Sequence, residues 1–160
     1  MTQASSSEYE QAFNDYEDLW NGDLSKMDIV SESVTVYTPA HPEGAAQGHE
    51  GFEEYLQQVH EAFPDYETTK DPVAILVSED TIMHEWTKTG TFKSAFYGTP
   101  PTGRSMNLSG MSKIIMVDGK IQEDYIYLNE KKMFEQLGLT FPDIVSLTPK
   151  LVWGKVRNAL

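Results

Sequence analysis

Along the first third of the chain the apolar positions recur at helical spacing. Tyr9, Ala12, Phe13, Tyr16, Leu19 and Trp20 share one face of a predicted helix, with Glu10, Asn14, Glu17 and Asp18 set on the other. Ser7 and Glu10 form a capping box at its start. Asn21-Gly22-Asp23 ends it, because glycine accepts the left-handed conformation a helix C-terminus needs. Asp23 caps a second, short helix through Leu24, Met27, Ile29 and Val30. Ser33 to Thr38 alternates and is β-rich, a first strand. A loop from Pro39 to Gly48 leads into a helix from about His49 to Phe63, with Phe52, Tyr55, Leu56, Val59 and Phe63 as its stripe and Pro64 as its stop.

From Tyr66 the period changes to two. Tyr66–Thr69 and Val73–Val77 are parted by Asp71-Pro72, and a proline there demands a bulge or a sheet edge. The next strand runs from Thr81 to about Phe92, with Ile82, His84 and Trp86 on the face taken as inward and Met83, Glu85 and Thr87 on the other. A rigid connection, Gly98 to Arg104, leads to a strand over Met106–Val117. Asp118-Gly119, the strongest hairpin signal in the chain, joins that strand to Ile121–Leu128. Glu130 to Leu137 is a short helix ended by Gly138. Three helices, four or five successive strands and one short helix predict an α+β fold, with helices on one face of a curved, mostly antiparallel sheet. Residues 1–7 read as a mobile leader, 8–138 as the domain, and 139–160 as a tail that packs on the domain or on a partner subunit.

Composition narrows the function classes. A chain of 160 residues with 39% hydrophobic and 11% aromatic content has material for one real core. The formal charge is −13, from 25 acidic and 12 basic residues, which argues against nucleic acid or an anionic membrane surface as partner. That acidity fits either a salt-adapted cytoplasm or an ordinary acidic protein. Cysteine is absent, so disulfides, thiolate metal sites and cysteine nucleophiles are excluded. The N-terminal sequence lacks a basic and apolar signal pattern, and no apolar run is long enough to span a bilayer; a cytoplasmic location is expected. The four histidines show no metal-ligand spacing, and neither a metal nor another cofactor is expected. No Gly-x-Ser-x-Gly elbow or phosphate-binding loop occurs.

Several short stretches, in shared order, carry a family resemblance. They are Tyr16-Glu17-Asp18-Leu19-Trp20-Asn21-Gly22-Asp23, Gly48-His49-Glu50-Gly51-Phe52, Trp86 with Gly90-Thr91, Gly98 to Arg104, Asp118-Gly119-Lys120-Ile121, and Gln136-Leu137-Gly138. Over roughly residues 8–138 the chain resembles the SnoaL-like polyketide and ester cyclases of the nuclear-transport-factor-two-like superfamily. The resemblance implies a cone-shaped α+β barrel with an open mouth, a small organic ligand and a homodimer. It also implies an aspartate as general acid/base on the strand after the Gly-Lys turn, a position that falls here at Ile126. A histidine found in some relatives falls at Ser112, and another at Phe92. Isoleucine cannot transfer a proton, so the family's mechanism does not carry over residue by residue.

The chemistry left to this chain is a displaced set. If Ile126 faces the pocket, alternation puts Asp124 on the same face, and burial in an apolar cone would raise its pKa into the range of a general base. The competing reading leaves Asp124 solvated at the mouth. His84 is an assisting acid/base group or a satisfied structural histidine. Trp20, Tyr55 and Trp86, with Tyr37 added from the first strand, are candidates to hold a flat or cyclic ligand, against plain core packing; Ser112 is a weak donor. Two functions follow: proton-transfer chemistry (isomerisation or cyclisation) through Asp124 and His84, or a non-catalytic ligand-binding or assembly module. Met83, Met111, Ile115 and Val117 on the outer sheet face offer an apolar surface for the expected dimer.

Overall fold

The computed structural model describes residues 6–78 and 80–147. Helix α1 spans Ser6–Trp20 and is followed by a 3-10 turn, Leu24–Ile29, in which the Asp23 side chain accepts from the Ser25 amide. Strand β1 (Val30–Tyr37), a short β2 (Ala45–Gln47) and helix α2 (Gly48–Ala62) come next. Strands β3 (Glu67–Ser78), β4 (Thr81–Thr91), β5 (Ser105–Val117) and β6 (Lys120–Leu128) then run in succession. Helix α3 (Glu130–Gln136), capped by Asn129, and a 3-10 turn, Asp143–Leu147, complete the described chain.

The strands form one six-stranded sheet in the order β2-β1-β6-β5-β4-β3. All neighbours are antiparallel except β1 and β6, which run parallel. The architecture is α+β, helices packed on one face of a curved sheet. The proline in β3 is accommodated as its type requires: β3 is an edge strand, and its register with β4 shifts between Thr69 and Val73. At the β5–β6 hairpin, Asp118 and Gly119 have φ of 50° and 77°, the doubly positive pair that matches the twist of the flanking strands. Strand β2 lies inside the stretch expected to be loop; three residues between two glycines are too short to show a period.

The inner rows of the sheet and the apolar faces of α1 and α2 make the main core, with Tyr16, Leu19, Phe52, Leu56, Val34 and Ile114 fully buried. A second cluster joins Phe63, Phe92, Met106, Leu108, Met133 and Leu137 at the far end of β4 and β5. Leu139, at the start of the expected tail, packs against this cluster, and Arg104 pairs with Asp143 at 2.8 Å. The tail beyond residue 147 and most of the leader lie outside the described residues. Among the described residues no helix is long and apolar enough to cross a membrane.

Candidate functional site

Even-numbered residues of β4 point inward, as alternation requires: Ile82, His84 and Trp86 are buried. Lys88 continues that row and is half-buried. The next inward position is Gly90, where a Cβ would stand 3.1 Å from Phe63. Trp86 pairs with Gly110 across β4 and β5. A Cβ at Gly110 would collide with the Trp86 ring and stand 2.5 Å from the Tyr127 carbonyl oxygen. Only glycine leaves room for that indole to lie flat on β5.

The C-terminal end of α1 is tied down by two polar links. The His60 Nε2–H donates to the Trp20 carbonyl at 3.0 Å, satisfying one of the acceptors a helix end leaves open. The Asn21 amide donates to the Thr68 carbonyl at 3.2 Å and accepts from the Thr68 amide at 2.7 Å, joining the helix end to edge strand β3. Trp20 is thereby fixed opposite Trp86. The Lys88 Nζ sits between them, 3.8 Å from one Trp20 ring centroid and 4.5 Å from a Trp86 one. Among the described residues its ammonium has no hydrogen-bond partner, and it lies against the two indole faces. Cation–π contacts of this kind contribute roughly 1–2 kcal/mol each when desolvated.

Lys88 and the two indoles form one wall of a cavity of about 400 Å³. Tyr55, Phe63, Phe92, Ile126 and Leu128 line its sides, with Met133 of α3 and Leu137 just after it. His41, Phe96 and Tyr97 stand at the mouth. Tyr97 and Gly98, with φ of 44° and 80°, form a tight turn closed by paired bonds between Phe96 and Thr99, so the β4–β5 connection is a small hairpin bent over the cavity. His41 meets the Tyr97 ring edge-on at 5.4 Å and tilts against Tyr55 at 5.6 Å. The lining is largely apolar and aromatic, and among the described residues Lys88 is its one lysine or arginine.

Behind Lys88, under α1, lies a buried polar layer. Asp124 is 1% exposed; its Oδ2 accepts from the Tyr16 hydroxyl at 2.9 Å, and its Oδ1 has no hydrogen-bond partner. Burial pushes this carboxyl up to about 6, with Lys88 and the hydroxyls of Tyr16 and Ser112 pulling the other way. Burial also pushes Lys88 down to about 8, against the attraction of the Asp124 and Glu17 charges. His84 lies 3.9 Å from Glu17 through Nε2 and meets Phe13 edge-on at 4.8 Å. Burial, then the Lys88 charge, lower it to about 4, so at neutral pH the imidazole is uncharged and its contact with Glu17 is not an ion pair. Ser112 is buried and accepts from the Trp86 Nε1–H at 3.2 Å.

The expected residues thus separate into three groups. Trp20, Tyr55, Trp86 and Ile126 line the cavity. Asp124, His84 and Ser112 face the same side of the sheet but lie behind the lining, in the sealed layer. Asp124 is therefore neither at the mouth nor solvated. Tyr37 is a correction: it neighbours inward Val36, so alternation turns it outward, where it is 38% exposed and stacks on Tyr125 at 4.5 Å. Glu17 is another, since it was assigned to the polar face of α1 yet is 2% exposed. The spacing Phe13, Tyr16, Glu17, Trp20 is itself an i, i+3, i+4, i+7 stripe, so the signal was present. Lys88 was equally available, two residues beyond Trp86 in the same alternating row.

The family model of the SnoaL-like polyketide cyclases matches residues 10–137. No curated protein sequence matches the chain. Among solved structures, TsrD from Streptomyces laurentii is similar at 17% identity and a TM-score of 0.73, covering 86% of this chain and 99% of that one. IdmH from Streptomyces antibioticus is 23% identical with a TM-score of 0.64, covering 81% and 97%. An NTF2-like protein of unknown function from Exiguobacterium sp. 255-15 is 15% identical with a TM-score of 0.59, covering 74% and 98%. At these identities the structures speak for the cone fold.

Proposed function

Because the chain belongs to the SnoaL-like polyketide cyclase family, we propose that its cavity takes a small, flat, mostly apolar organic molecule bearing a carbonyl oxygen, and that Lys88 meets that oxygen. The observation that carries this reading is the lysine set against two indoles in the largely apolar and aromatic lining of a cavity of about 400 Å³. The aromatic walls supply area burial and stacking. As an ammonium, Lys88 donates to the carbonyl oxygen and stabilises the enolate; as an amine, it takes a proton from the adjacent carbon. A lysine brought down to about 8 populates both forms near neutral pH, which suits isomerisation or aldol-type cyclisation. Asp124 and Glu17, behind Lys88, act through it by stabilising its charge. His84, uncharged at neutral pH, packs that layer.

The test is equilibrium dialysis of the protein and its Lys88→Met variant against 2-acetonaphthone, a flat aromatic ketone. The expected outcome is saturable binding that weakens about tenfold in the variant, the equivalent of one charge-assisted hydrogen bond. Equal binding by both proteins refutes the role given to Lys88.

A specific observation favours a second reading. Asp124 and His84 stay out of the lining, and Ile126 replaces the acid/base group at the cavity wall. On that reading the cone binds without turnover, and a ketone capable of enolisation keeps its α-deuterium label at the buffer rate. The outer sheet face, where Met111, Val117 and Tyr127 are 41%, 50% and 57% exposed, is the surface we assign to self-association of this chain.

A further inference from the structure

Lys88 combines features that acid/base work alone does not require. It is an amine on a rigid strand, at the wall of a cavity, with no hydrogen-bond acceptor among the described residues. The charged groups acting on it come from different elements: Asp124 of β6 and Glu17 of α1, both buried. His84, four residues back on β4, is uncharged at neutral pH. No carboxylate bonds the nitrogen directly, so its lone pair, once the proton leaves, is directed at nothing but the indole faces and the cavity.

We propose that Lys88 is a nucleophile that condenses with the carbonyl carbon of an aldehyde or ketone seated in the cavity beside Trp20 and Trp86, forming a reversible imine. The inference rests on the reading that the cavity binds a flat carbonyl compound. The ammonium first releases a proton to solvent. The amine nitrogen then forms a bond to the carbonyl carbon, whose oxygen becomes a hydroxyl by taking one amine proton. Loss of that oxygen as water, with the second amine proton, leaves a carbon–nitrogen double bond. No oxidant or reductant enters, and hydrolysis reverses each step. Protonation of the imine nitrogen makes an electron sink, so the adjacent carbon becomes acidic without a carboxylate in the cavity. This gives the chain a chemical route that does not need an acid/base residue at Ile126. The two indoles hold the resulting iminium as they hold the ammonium.

The test treats the protein at pH 8 with 2-naphthaldehyde and sodium cyanoborohydride, which reduces an imine to a stable secondary amine. Intact mass and peptide mapping locate the naphthylmethyl group. Lys88 at about 8 carries a free-amine fraction on the order of a hundredfold above that of an ordinary lysine. The expected result is therefore one labelled lysine, Lys88, scored by peptide mapping apart from any α-amino label, and absent from Lys88→Arg and Lys88→Met, both checked for unchanged thermal melting. Labelling spread evenly over the lysines overturns the proposal. Equilibrium dialysis of the same aldehyde runs in parallel. Binding without a label on Lys88 overturns the imine and leaves the cavity reading standing. Neither binding nor label overturns both.

Discussion

The two ends of the inner sheet face share one set of strands and one alternation, yet they are opposite environments. At the near end α1 lies over β4, β5 and β6, and seals in Asp124, Glu17, His84, Tyr16 and Ser112. At the far end the sheet curves away, and the space is a cavity walled by Phe63, Phe92, Ile126 and Leu128. The buried carboxylates lie where no ligand reaches, and among the described residues none lines the cavity. The boundary is Trp20, Trp86 and Lys88, and Lys88 links the cavity electrostatically to the charges behind it. A buried carboxylate in this chain is therefore not by itself a catalytic group; its charge reaches the cavity through lining residues such as Lys88, Tyr55 and Tyr66.

The boundary can be broken outright at Gly110. An alanine there forces the Trp86 indole off β5 or bends the strand against a backbone carbonyl that cannot yield. A loss of about 3 kcal/mol in urea unfolding is expected for Gly110→Ala. An unchanged midpoint would mean that Trp86 does not hold the wall.

A pH experiment sharpens the contrast by isolating the sealed layer. Asp124 has its pKa raised to about 6, so between roughly pH 4 and 6 the folded state keeps a proton that the unfolded chain has lost. Its contribution to stability falls as pH rises through that window. His84 is lowered from 6.5 to about 4, so over nearly the same range the unfolded chain holds the extra proton and stability rises with pH. The two slopes oppose each other. Asp124→Asn removes the first and exposes the second, so the variant should lose roughly 2 kcal/mol more than the parent between pH 6.5 and 4. Parallel pH–stability curves for the two proteins would contradict the sealed carboxyl.

The smallest effect on stability is expected on the other face of the sheet. Met111→Lys with Tyr127→Lys changes exposed positions only, so the stability of the protomer, compared at dilutions where the parent is also dissociated, should move by less than about 0.5 kcal/mol and ligand binding not at all. Light scattering should nevertheless show a dimer for the parent and a monomer for the variant. A monomeric parent removes the self-association proposal.

Much of the fold was legible because local rules act on neighbours in sequence. The stripe of α1, the stop at Pro64 and the Asp118-Gly119 turn each follow from a period or a backbone angle that one segment specifies. Strand parity likewise made the inward row of β4 readable through Lys88, and rejected Tyr37 as soon as Val36 was known to be inward. At Glu17 and Tyr37 position outweighs residue type: the carboxylate is buried and the tyrosine exposed. What parity could not supply was depth along the row. His84 and Lys88 lie four residues apart on one strand face, and alternation treats them alike. Whether each meets a helix or a void depends on where α1 crosses the sheet.

By itself, then, the sequence determined the element order, the hairpins, the acidic character and the set of side chains that face inward, because those depend on local geometry and composition. Only the tertiary structure decided which of them share a cavity. The His60 and Asn21 links dock the end of α1 onto α2 and edge strand β3, across 40 and 47 residues of chain, and that crossing point seals Asp124 while leaving Lys88 open. Burial and charge are properties of packed neighbours, and packed neighbours are set by contacts that no single stretch of sequence contains.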